Sequence, residues 1–92
     1  MVSKVYVVFL DYAYDIEPDG YYILGVFSNY DKAKEVFDKA VEENEKVDKD
    51  NGYDMFEKDE NKYEGWLDGN YNLYHTTIVL SGYEVDKIYK EK

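Results

Sequence analysis

The feature that most constrains this chain is a stretch of helical spacing between Ser28 and Gly52. Apolar residues fall at Ala33, Val36, Phe37, Ala40, Val41 and Val47, the i, i+3, i+4 recurrence of one buried stripe. Ser28-Asn29-Tyr30-Asp31 offers a hydroxyl N-cap with a carboxylate three residues on, a variant of the capping box. Glu35/Lys39, Glu42/Lys46 and Glu45/Lys49 place an acid four residues before a lysine on the other side. Asn51-Gly52 supplies a stop. Together these signals predict a helix over residues 29–49. Its stripe must be buried, and a sheet is the partner such a chain can offer.

The rest of the sequence reads mainly as strand. Val5 to Tyr12 is apolar on both faces, with Val5, Val7 and Phe9 on one and Tyr6, Val8 and Leu10 on the other, the pattern of a central strand. Pro18-Asp19-Gly20 is turn chemistry, and Tyr21 to Phe27 follows as a second strand, where Gly25 suggests a bulge or close packing. Leu73 to Leu80 alternates cleanly; Ser81-Gly82 permits a bulge or bend, and Tyr83 to Ile88 either continues the strand or begins a short terminal helix. Tyr53 to Trp66 is less regular. Met55, Phe56, Tyr63, Trp66 and Leu67 are apolar, but Glu57 to Lys62 is an unbroken polar run, so the segment reads as a short strand, a polar loop, then another short strand or an irregular segment. The expectation is one α+β domain over residues 1–92, in ββαββ order. An antiparallel sheet of three to four strands would carry the helix on one face.

Composition narrows the function classes. Ninety-two residues make one domain. The 21 acids outnumber 11 bases, all of them lysine, for a net charge of −10. A polyanion without arginine is a poor direct binder of nucleic acid or of anionic membrane. Cysteine is absent, which removes disulfides and thiolate zinc. The apolar run Val5 to Leu10 is too short for a signal-peptide core or a membrane span, so a cytoplasmic protein is expected.

No motif for catalysis or metal binding survives inspection. His75 is the only histidine and alternates within a strand, without a positioned partner for acid–base work. Ser28 is explained as a helix cap, with no nucleophile elbow around it. Asp68, Asn70 and Asn72 begin like a calcium loop, but Leu73 stands at the glycine position and Val79 at the glutamate position. Asp48 to Gly52 fails because its glycine comes one position early. Glu60 and Glu64 near Trp66 suggest a carboxylate pair, but so short a chain seldom builds the necessary cleft. The protein is expected to be no enzyme and to need no cofactor.

The negative charge is localised. Asp11, Asp15, Glu17 and Asp19 form one group without a base. Asp54, Glu57, Asp59, Glu60, Glu64 and Asp68 form another, with only Lys58 and Lys62 among them. Both groups lie beside tyrosines, of which the chain has twelve. Tyrosine gives contact area at low entropic cost, and carboxylates steer a basic partner. This pattern points to a non-enzymatic binding protein, phage- or mobile-element-encoded, that inhibits a host nucleic-acid-binding or defence protein by occupying its basic surface, where rows of carboxylates can stand in for phosphates. Tyr12, Tyr14, Asp15, Glu17, Asp19, Asp59, Glu60 and Glu64 are the expected contact residues. The alternative is a module that self-associates through a sheet edge or a tyrosine-rich face, as a homodimer rather than a monomer. The bland reading, acid loops for solubility, accounts for the same charge.

Lys4-Val5-Tyr6-Val7-Val8, Gly25-Val26-Phe27-Ser28 leading into Asp31-Lys32-Ala33, and Glu84-Val85-Asp86 resemble a group of small uncharacterised domains of low-GC bacteria and their phages. The resemblance implies a small α+β fold and a mobile-element context, and it carries no known site. By analogy alone, phage anti-defence proteins such as anti-CRISPR proteins share this size and acidity.

Overall fold

The structure is a computed structural model that describes residues 4–14 and 20–85. The elements run β1 (Lys4–Tyr14), β2 (Gly20–Phe27), α1 (Tyr30–Asp50), β3 (Met55–Asp59), β4 (Lys62–Trp66) and β5 (Tyr74–Glu84). All five strands join one antiparallel sheet in the order β2-β1-β5-β4-β3. The expected ββαββ order with three to four strands is therefore corrected to ββαβββ with five, and the domain is mostly sheet.

The missing strand lay in the polar run. Glu57 to Asp59 closes β3, Lys62 opens β4, and Glu60-Asn61 is a two-residue turn between them. β3 is an edge strand, almost wholly exposed, so it has no buried face to give it an apolar alternation. The turn is held locally and from afar. Asp59 Oδ1 accepts from the Asn61 amide at 3.0 Å, and Asn61 Oδ1 accepts from the Tyr30 hydroxyl at 2.8 Å.

β1 and β5 form the centre, paired from Lys4↔Glu84 to Tyr14↔Tyr74. β5 continues through Ser81-Gly82 as far as Glu84, with no shift in its register against β1. Tyr6, Val8 and Leu10 face the helix together with Ile78, Leu80, Tyr63 and Phe56. Ala33, Phe37 and Ala40 complete this core from α1. Gly25 does mark a bulge: the β1–β2 register shifts between Val8 and Phe9, leaving Leu24 as the extra residue.

Two details of the helix differ from its sequence reading. The N-cap is Asn29, not Ser28: its side chain accepts from the Lys32 amide at 3.0 Å. The stripe also ends differently. Val47 is 53% exposed, whereas Asp48 is only 3% exposed. Beyond it, Gly52 takes φ 90°, its N–H donates to Lys49 O, and the Tyr53 N–H donates to Asp48 O. That is a complete Schellman motif, and it sets Tyr53 against the last turn of the helix.

Candidate functional site

Asp48 lies where the end of α1 meets the sheet. Its Oδ2 accepts from the Tyr63 hydroxyl at 2.6 Å and its Oδ1 from the Thr76 hydroxyl at 3.0 Å. Tyr63 lies on β4 and Thr76 on β5, and both are buried. These two bonds join the helix to two strands. Burial raises the Asp48 pKa, and it does so against the two hydroxyl bonds, which lower it. Burial and the bond to Asp48 push the Tyr63 phenol far up. Tyr53 is pushed up to about 12, by burial first and then by the charge of Asp48. Both phenols are protonated at neutral pH, and that of Tyr63 donates to Asp48.

The packing around Asp48 leaves no slack. A Cβ on Gly65 would stand 2.6 Å from the Tyr63 hydroxyl and 3.0 Å from Asp48 Oδ2. Only glycine fits beneath the bond. Beside the network opens a cleft of about 260 Å³, between the last turns of α1 and the end of β1. Tyr12, Tyr14 and Tyr53 line it together with Asn44, Val47 and Asp48.

The expected contact residues fall in separate places. Tyr12 stacks on Tyr22 at 6.0 Å between centroids, and Tyr14 meets Tyr74 edge-on at 5.7 Å. Asp15, Glu17 and Asp19 lie outside the described residues. Asp59 and Glu60 sit at the β3–β4 turn, on the far edge of the sheet and toward its other end. The Glu60 carbonyl takes the Lys34 ammonium. Glu64 lies on the sheet face away from the helix, where Oε2 accepts from the Tyr71 hydroxyl at 2.6 Å. The described residues of the two expected groups thus lie on the inner strand β1, at the β3–β4 turn and on the inner strand β4.

His75 belongs to the same outer face. The Tyr71 ring stacks on it at 4.6 Å, with the planes 8° apart, and Trp66 packs edge-on against Tyr71. The Tyr71 carbonyl lies 3.0 Å from His75 Nδ1, which fixes Nδ1 as the protonated nitrogen because a carbonyl only accepts. The loop between β4 and β5 thereby covers the histidine. Among the described residues, no group of three or more His, Cys, Asp or Glu side chains could hold a metal, and no helix is long and apolar enough to cross a membrane.

Strand β2 was expected from the sequence, but its exposed apolar surface was not. Its sequence, GYYILGVF, carries no charge, and Tyr21, Ile23 and Val26 are 62%, 58% and 58% exposed. Tyr21 stacks on Phe9, and Phe9 meets Tyr83 edge-on, so an aromatic row crosses β2, β1 and β5. A signal was present: β2 is apolar on both faces, yet α1 can cover only one.

The profile of a domain of unknown function, DUF7336, matches residues 3–69. The chain belongs to this family. The match takes in β1 through β4 and the helix, and so includes Asp48, Tyr63 and Gly65 but not Thr76. Comparison with curated proteins and with solved structures gives no match.

Proposed function

We propose that this family member is a non-enzymatic binding protein whose contact surface is strand β2 and the sheet face beside it. The observation that carries the reading is the exposure of Tyr21, Ile23 and Val26 on an uncharged edge strand. An apolar strip of this kind on the outside of a strongly charged chain marks an interaction surface. Its partner is a protein with a basic rim, including one that binds nucleic acid. The acids Asp15, Glu17 and Asp19 directly precede β2 in sequence, and the net charge of −10 steers a basic surface toward the strand.

Two variants test this reading. Tyr21→Ser/Ile23→Ser/Val26→Ser should lose a captured basic partner while retaining the far-UV circular dichroism of the wild type. Asp15→Lys/Glu17→Lys/Asp19→Lys should weaken capture most at low salt, where screening is least. Equal capture by wild type and both variants, without salt dependence, would sink the reading. The edge position of β2 also favours self-association, by antiparallel pairing of two β2 strands. Sedimentation over a concentration series separates the two: a dimer that the β2 variant dissolves is the self-association outcome.

A further inference from the structure

The cleft at the end of α1 has a chemistry distinct from the β2 surface. Asp48 is 3% exposed and lies in the last turn of a 21-residue helix. The helix dipole places partial negative charge there, and Glu45, one turn back, adds to it. Two hydroxyls bond the carboxylate, but among the described residues no lysine pairs with it. A buried carboxylate without a counter-charge is costly. Each of its oxygens accepts one hydroxyl bond and has a further lone pair.

The walls supply what a cation needs. Tyr12, Tyr14 and Tyr53 line the cleft, and aromatic rings attract ammonium groups through their quadrupole. Leu10 and Val47 add apolar surface for a hydrocarbon stem. A metal ion is a poor fit, since the described residues hold no cluster of three metal-ligating side chains. From these features we infer that the cleft binds an ammonium group carried on an aliphatic stem, with Asp48 as its counter-ion and the tyrosines around it. A free amine and the lysine side chain of a protein present the same chemistry.

The test is NMR titration of the full chain with n-butylammonium, N-acetyl-lysinamide and the neutral 1-butanol. The expected result is saturable shifts at the Asn44, Val47, Tyr53 and Thr76 amides with butylammonium and none with butanol. Saturation by N-acetyl-lysinamide as well assigns the site to protein lysines, and saturation by butylammonium alone assigns it to free amines. Asp48→Asn should abolish the shifts. Tyr14→Leu, at a residue 43% exposed and so tolerant of change, should weaken binding about tenfold, in keeping with the strength of a cation–π contact. Equal responses to butylammonium and butanol, non-saturating shifts spread over the acidic surface, or full affinity in Tyr14→Leu would each overturn the inference.

Discussion

Strands β2 and β3 both lie at an edge of the sheet, yet β3 is five residues with Glu57, Lys58 and Asp59, and β2 is eight residues with no charge. β3 carries the devices that keep an edge from pairing with other chains: it is short and charged. Lys58 also reaches back to Glu45 on the helix at 3.0 Å. β2 has only the bulge at Leu24. The halves behind these edges differ as well. On the β4 side, Asp48, Tyr63 and Thr76 lock helix to sheet through buried polar bonds. On the β2 side, aromatic rings lie on the surface. The contrast teaches that this chain guards one edge and leaves the other available for contact.

The largest expected effect breaks the lock. Asp48→Ala strands the Tyr63 and Thr76 hydroxyls in the core, and should lower stability by about 3 kcal/mol in urea denaturation. A loss below about 1 kcal/mol would mean that the network contributes little beyond packing. pH probes the same group. Burial raises the Asp48 pKa in the folded state, so the folded protein keeps this proton to a higher pH than the unfolded chain. Stability relative to Asp48→Asn should be greatest below the ordinary aspartate value of about 3.9 and should fall as pH rises through the folded value. Wild-type stability that instead rises with pH relative to Asp48→Asn would reverse the assignment.

Gly65→Ala comes next. Its methyl group would meet the Tyr63 hydroxyl and Asp48, and the strain of overpacking should cost about 2 kcal/mol by thermal or urea unfolding. Asn29→Ala, at the helix start shared by both halves, should cost about 1 kcal/mol. Ser28→Ala should cost clearly less, which checks the cap assignment directly. The smallest stability effect belongs to β2. Tyr21→Ser, Ile23→Ser and Val26→Ser should each change stability by about 0.5 kcal/mol or less, because their side chains are already in water. Large losses there would show that β2 is structural in the way β4 is.

Much of the fold was legible because its signals are local. The alternation of β5, the two apolar faces of β1 and the stripe from Ala33 to Val41 each follow from a short window of sequence. The β3–β4 hairpin was only partly legible: a short strand, a polar loop and a further short or irregular segment were readable, but not that Glu57 to Asp59 and Lys62 belong to the strands, since an exposed edge strand needs no apolar face and Glu60-Asn61 is not among the strongest turn pairs. The cap lies one residue later than expected: Ser28 and Asn29 are both good cap residues, and it is the Asn29 side chain that accepts from the Lys32 amide. The eight expected contact residues were read as two acidic clusters along the chain. The described ones lie on β1, at the β3–β4 turn and on β4, a distribution that linear spacing does not encode.

The sequence by itself determined the helix, its stop at Asn51-Gly52, the central strands and the charge of the chain, because these depend on residue type and near-neighbour spacing. The tertiary structure decided which side of the last helical turn faces inward. It set Val47 outside and Asp48 inside, since Tyr63 and Thr76 from strands distant in sequence bring the hydroxyls that a buried carboxylate requires. It also decided that one amphipathic helix covers one sheet face, leaving the apolar residues of β2 on the surface. Burial depends on what packs opposite, and for both regions that partner comes from elsewhere in the chain.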